Sequence, residues 1–195
     1  MTAASRLPFN DDADDLAAFA DAALGGGLPP GVETLLAQAG LRRDDPPAAL
    51  ALLNQARAAA PRHPLPLIAL YRFHFYGHRL AEARAVGEDA LALARSALGP
   101  DFGDEPPSDE DARTHASVRF YLFLLKGLAY LNLRLGALDE ARLLLRALCH
   151  LDPNDRVGGG VLWHVLQRHL LADELAAGEI RLPDIPARGW GEARP

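Results

Sequence analysis

The pattern of apolar positions is clearest at residues 122–154, where it predicts two helices joined by a tight turn. Leucines recur there at helical spacing, around enough of the helix for burial on more than one side; they are Leu122, Leu124, Leu125, Leu128, Leu131, Leu133 and Leu135. Gly136 follows the last of them, where a helix often ends in a left-handed residue. Asp139 and Glu140 suit the positively polarised first turn of a second helix, and Pro153 ends that helix.

The same periodicity predicts helices along most of the chain. We place them at 12–24, 32–39, 47–60, 67–76, 80–98 and 155–177, and the helix before Gly136 begins between Asp109 and Ser117. Glycines and prolines separate the segments, and the acidic, proline-rich stretch 99–117 is expected to be an exposed loop. Alanine and leucine are abundant while valine and isoleucine are scarce, so the fold class is predicted to be all-α.

Alanines mark a repeat within this pattern. Ala49 and Ala83 lie 34 residues apart, and Ala83 and Ala141 lie 58 apart, which is the same period with an insert of 24 near residues 99–115. Ala56 and Ala90 stand seven residues after the first two marker alanines, whereas Leu148 takes that place in the third copy. Small residues at these positions allow two helix axes to approach to about 8–10 Å.

The segment GALDEARLLLRALCHLDPN resembles the second half of a tetratricopeptide repeat, a pattern with a glycine, an acidic pair, small residues and a proline. Gly136, Asp139, Glu140, Ala141 and Pro153 match it. The resemblance implies a right-handed solenoid of about three helical hairpins, with an N-terminal helix and a C-terminal capping helix. The expected layout is an arm with a short helix at 1–27, a helical domain at 28–177 and an extended tail at 178–195. Within the domain we expect repeats at about 31–63, 64–100 and 115–154, an acidic loop at 99–116 and the capping helix at 155–177.

Composition excludes several classes of protein. No run of about 18 apolar residues is present, so we expect no membrane span. The formal net charge is −6 and no basic run stands out, which disfavours nucleic-acid binding. A single cysteine rules out an intramolecular disulfide framework, and the first residues do not resemble a secretory signal. We therefore expect a cytoplasmic protein.

Motifs that carry chemistry are sparse. His74 and His78 are four residues apart, but no acidic base lies between them and Gly77 should end the helix, so ordinary packing or exposure is favoured over a metal site. Cys149 is expected to be a small buried hydrophobic residue. Since no catalytic triad order, phosphate-binding loop or dinucleotide-binding glycine pattern is found, we predict a protein that is not an enzyme, with no catalytic residues, cofactor or metal.

The resemblance also implies where a partner would bind, because the first helices of tetratricopeptide hairpins line a concave groove that holds peptides. Eight of the 13 aromatic residues fall in the first helices of repeats two and three. The register assigns the groove to Thr34, Gln38 and Arg42, then Arg72, Phe75 and Tyr76, then Lys126, Tyr130 and Arg134. This aromatic and basic set suits an acidic or C-terminal segment of another protein with apolar anchors. For each aromatic residue, burial between helices is the alternative.

A narrower resemblance is carried by LPLIALYRFHFYGHRLAEA and RFYLFLLKGLAYLNLRLGALDEAR, which are similar to small tetratricopeptide-like proteins of bacterial nitrogen-fixation gene clusters. It implies an accessory role around nitrogenase or its metallocluster assembly. The leading hypothesis is a partner-binding adaptor or chaperone-like module. The alternatives are that accessory role in metalloenzyme maturation and a structural homodimer formed through the aromatic helices.

Overall fold

The computed structural model describes residues 27–177, which form eight α-helices and no β-strand. They are α1 (Val32–Leu41), α2 (Pro46–Ala59), α3 (Pro64–Tyr76), α4 (Leu80–Ala97), α5 (Asp109–Thr114), α6 (Ala116–Leu135), α7 (Leu138–Leu151) and α8 (Gly160–Ala176). The all-α prediction is confirmed for this part of the chain. The helix predicted at 12–24 and the tail at 178–195 lie outside the described residues.

The helix ends follow local sequence signals. The Asp45 carboxylate accepts a hydrogen bond from the backbone N–H of Ala48 at 3.2 Å, and Pro46 opens α2 in the first turn, where its missing N–H costs nothing. Gly136 ends α6 with a φ of 75°, as its position predicted. The helix α1 was predicted to end at residue 39, but it continues through Gly40 to Leu41.

The segment expected to be an exposed loop contains a helix of its own and is held against the rest of the molecule. The Ser108 hydroxyl caps α5 by accepting from the backbone N–H of Asp111 at 3.0 Å. Phe102 packs edge-on against Tyr121 of α6, with ring centroids 5.4 Å apart. Asp109 accepts hydrogen bonds from Asn154 and Arg156, each at 2.7 Å. The insert is thus tied both to α6 and to the connection after α7.

Helices pack mainly on their neighbours along the chain. The pairs α1 with α2, α3 with α4 and α6 with α7 are in extensive contact, and α2 packs on α3. Across the insert, α4 packs directly on α6. At the C-terminal end of the described residues, α8 lies on α7 and touches α6. None of these helices combines the length and apolar composition that a bilayer crossing needs.

The long helix α6 joins two parts of the core, as the spread of its leucines predicted. One stripe faces α3 and α4 and consists of Phe120, Leu124, Leu128 and Leu131. A second stripe faces α7 and α8 and consists of Val118, Leu122, Leu125, Ala129 and Leu133. Because both stripes are buried, α6 is a central helix of the described structure.

The alanines that marked the repeat all lie in the interior. Ala49, Ala83 and Ala141 are at most 2% exposed, and Ala56 and Ala90 are fully buried. Each therefore stands where a larger side chain would have to displace a packed neighbour.

Candidate functional site

A groove of about 690 Å³ opens between α1, α2 and α3 and reaches the turn that follows α3. Its floor is apolar and includes Leu36 and Ala39 of α1, Leu53 of α2 and Ala69 of α3. Phe73 and Tyr76 of α3 form one side of the groove, and Tyr76 is 48% exposed. The groove is open to solvent, and its volume and mainly apolar lining would admit a side chain of a ligand.

Three arginines surround this groove. Arg43 follows α1, Arg72 lies on α3, and Arg79 precedes α4. The guanidinium of Arg79 lies 4.5 Å from the centre of the Phe73 ring, and Arg43 donates to the Gly40 carbonyl at 3.4 Å. None of the described residues that line the groove is acidic.

The three guanidinium groups also form no ion pair with any carboxylate that the structure describes. Ion pairs among the described residues engage other arginines, among them Arg57, Arg84, Arg142 and Arg156. The groove is therefore a positively charged, apolar-floored site on a chain whose net charge is −6.

Beside the groove, an aromatic cluster bridges α3 and α6. The Phe75 ring stacks on Tyr71 at 5.9 Å, meets Tyr76 at 5.5 Å and reaches Tyr130 of α6 at 5.8 Å between ring centroids. Arg134 donates a hydrogen bond of 2.7 Å to the Tyr130 hydroxyl and lies over its ring. Burial raises the pKa of the Tyr71 hydroxyl, and the nearby Tyr130 and Tyr76 raise it further. Tyr76 belongs to both surfaces, so the groove and the aromatic cluster are continuous.

The structure brings together part of the predicted partner-binding set. Arg72 and Tyr76 line the groove, while Phe75, Tyr130 and Arg134 form the cluster. The remaining members lie elsewhere. Thr34, Gln38 and Arg42 are exposed at α1 without lining the groove, and Lys126 is half-buried and donates to the Val157 carbonyl between α7 and α8.

Among the described residues that line the groove, sequence reasoning had assigned only Arg72 and Tyr76 to a binding site; it missed Arg43, Phe73 and Arg79 in particular. The two missed arginines lie in turns between helices, and in the first of these turns the register argument chose Arg42 instead of its neighbour Arg43. The sequence did contain a signal for these two arginines. In each of the first two helix pairs, a basic residue lies within three residues after the end of the first helix.

The structure also gives the positions of His74, His78 and Cys149, and it corrects the prediction for the cysteine. His74 is buried, whereas His78 is exposed beyond the end of α3 with a φ of 57°, so the two imidazoles do not share a helix face. Cys149 was predicted to be buried, and this was wrong, because its position on α7 faces outward. Partial burial raises the pKa of its thiol, as do the carboxylates of Asp155 and Asp152. Within residues 27–177 no group of three or more His, Cys, Asp or Glu side chains is placed to hold a metal ion.

The fold and the site together define an all-helical protein with a basic, aromatic-edged groove. The chain is 34% identical over 145 residues to a protein of Azotobacter chroococcum mcd 1, described as an uncharacterized 19.8 kDa protein in the nifW 5′ region. The match covers 66% of this chain and 77% of that relative. The chain belongs to the family of this nif-region protein. No protein-family model matches the chain, and no solved structure matches it.

Proposed function

We propose that this protein is a non-enzymatic interaction module, an adaptor or chaperone-like factor that holds a segment of another protein against α1, α3 and α6. The proposal includes a tetratricopeptide-like solenoid of three hairpins, α1–α2, α3–α4 and α6–α7, with α8 as the cap. Packing between chain neighbours and the burial of the marker alanines support this arrangement.

The observation that carries the function is the continuous surface formed by the groove and the aromatic cluster. Exposed or half-exposed aromatic and arginine side chains are the residue types that dominate protein-binding hot spots. Here α3 and α6, which are distant in sequence, place such side chains together, since the Phe75 and Tyr130 rings lie 5.8 Å apart, and Tyr76 is 48% exposed. A surface that faces only solvent does not require so many aromatic side chains close together.

The same proposal places the protein in the cytoplasm, without cofactor, metal or nucleic acid. Its partner is a peptide segment of another protein, and an acidic segment matches the charge of the surface.

The test is affinity purification of the tagged full chain from its native organism, in parallel with the double variant Arg72→Glu/Arg134→Glu. A genuine partner co-purifies with the original chain and is lost with the variant, and the purified partner then binds the original chain directly. Arg134 is exposed and Arg72 is half-buried, so circular dichroism of the variant must first show the helical content and melting temperature of the original chain. A partner that binds both proteins equally would contradict the proposal.

The relative gives a specific reason for a second candidate function. Its description places that protein in the nifW 5′ region, and with the similarity to proteins of nitrogen-fixation gene clusters it favours an accessory role in nitrogenase or metalloenzyme maturation. Deleting the gene and assaying nitrogenase activity under nitrogen-fixing and nitrogen-replete growth tests this role. A third candidate, the structural homodimer, predicts a mass that doubles with concentration in light scattering.

A further inference from the structure

We propose that the groove between α1, α2 and α3 is the anchor point of the binding surface, and that its occupant is an acidic peptide segment carrying an apolar side chain. This inference rests on the proposed function and specifies the partner's chemistry and the position of its main contact. The aromatic cluster between α3 and α6 then serves as an extension of the site.

Charge complementarity identifies the acidic part of the occupant. Arg43, Arg72 and Arg79 converge on one groove, with no carboxylate among its described lining residues and no ion pair to neutralise them. Arginine is always charged and can bind a carboxylate through two parallel N–H donors. Since the chain as a whole is acidic, this local excess of positive charge selects an anionic segment and repels a basic one.

The apolar floor identifies the second requirement. Leu36, Ala39 and Leu53 come from two helices and leave a groove of about 690 Å³, which is large enough for a leucine or aromatic side chain. Burying such a side chain provides affinity that exposed ion pairs alone do not, since each exposed pair contributes little. A multivalent inorganic anion would use the arginines and leave this floor empty, so the two features together favour a peptide.

The probe is a fluorescein-labelled twelve-residue peptide with a central Leu-Phe pair flanked by Asp and Glu. Fluorescence anisotropy with the full chain should show saturable binding that weakens as salt is raised. Replacing the acidic residues of the peptide by Asn and Gln, or its Leu-Phe pair by Ala-Ala, should each weaken binding by about tenfold or more. Equal binding of all three peptides would overturn the proposal.

Protein variants locate the anchor point. Arg72→Glu and Arg79→Glu should each weaken binding of the probe by about tenfold or more, whereas Arg62→Glu, the same charge change at an exposed site outside the groove, should change it little. Tyr76→Ala provides a second variant of the groove that keeps the charge unchanged. If Arg134→Glu abolishes binding while Arg72→Glu and Arg79→Glu do not, segment binding by the α3–α6 surface stands and the anchor point is wrong.

Two further outcomes also overturn the inference. Absence of any binding by the original chain would reject the acidic peptide as occupant, while the co-purification experiment still tests partner binding independently. A dimer in light scattering that Arg72→Glu dissociates would show that a second copy of the chain fills the groove.

Discussion

Leu148 occupies the position where the first two repeats have an alanine, and a single glycine makes room for it. Leu148 is 2% exposed, and a Cβ atom added to Gly159, in the connection to α8, would lie 2.6 Å from its Cδ2 atom. This contact distance is shorter than packed carbon atoms allow. At this contact the small residue is therefore Gly159, in the connection to α8, and not a residue of α7.

Gly159→Ala should destabilise the protein by about 1–3 kcal/mol, because the added methyl group overlaps a side chain that has little space to move. Thermal or urea unfolding measures the change. Leu148→Ala alone leaves a cavity and should also destabilise, by about 2–5 kcal/mol. If Leu148 fills the space that Gly159 leaves, the loss of stability in the double variant should be smaller than the sum of the losses in the two single variants. Additive losses would contradict the contact.

His74 connects stability to pH. It is 8% exposed, its Nδ1 atom has no hydrogen-bond partner among the described residues, and the Phe73 ring meets it edge-on at 5.6 Å. Burial lowers the pKa of the imidazole; Arg79 lowers it further, and Glu82 opposes this effect in part. Folding therefore favours the neutral form of His74.

The sign of the pH effect follows from this pKa. As the pH falls below the ordinary value of 6.5, the unfolded chain takes up a proton that the folded chain resists until its lower pKa is reached. His74 therefore makes its full contribution to stability above about pH 6.5. This contribution is lost as the pH falls from there towards the lower pKa of the folded state. The melting temperature should fall between pH 7.5 and pH 5.5, and His74→Phe should reduce this fall. His78→Gln, at an exposed neighbour, should retain it.

At the residue scale, the burial of a side chain was predictable only where it follows from the spacing of residues along one helix. The burial of Ala49, Ala83 and Ala141 followed from their spacing. The exposure of Cys149 did not, because it depends on how α7 is rotated against α6 and α8. The space that Gly159 leaves for Leu148 involves a connection whose path no periodicity describes.

At the scale of elements, α4 shows how small residues set helix contacts. Ala83, Gly87, Ala90 and Ala94 form one buried stripe. A Cβ atom added to Gly87 would lie 2.9 Å from Leu128 of α6 and 3.2 Å from the Tyr71 ring of α3. Because helix axes approach closely only where their contact residues are small, this stripe allows α4 to pack against both α3 and α6.

Ala83→Leu should destabilise the fold by about 1–3 kcal/mol through overpacking of this stripe. Ala81→Leu is the matched control, since Ala81 lies on the same helix and is exposed. The two substitutions have the same intrinsic helix propensity, so the difference between their urea midpoints isolates packing. Equal midpoints would mean that the stripe tolerates larger side chains.

Helices were predictable as elements, within a few residues at their ends, since their apolar faces and their glycines and prolines are local signals. The short helix α5 was missed because acids and prolines surround it and six residues carry too little periodicity. The groove was only partly predictable, since Arg43 and Arg79 reach it from turns whose directions depend on tertiary packing.

At the scale of the whole molecule, contacts between chain neighbours determine how stability is distributed. Because α8 packs on α7 and only touches α6, its stability depends on few partners. Leu166 provides the central contact, being 1% exposed in the core cluster that includes Leu145 and Leu148. The core of α3 and α4 is built around other residues, among them Leu70 and Ala90.

Leu166→Ala should therefore weaken one end of the molecule, by about 2–5 kcal/mol in the contact of α8 with α7. Native-state hydrogen exchange should show faster exchange in α8 and in the adjoining face of α7, with α2 and α3 unchanged. Val161→Ala, at a position 69% exposed on the same helix, is the control and should leave exchange as it was. Uniform acceleration in all helices would instead show that residues 27–177 unfold as one cooperative unit. A graded response is what the proposed stack of hairpins predicts, because each hairpin in such a stack is stabilised chiefly by those beside it.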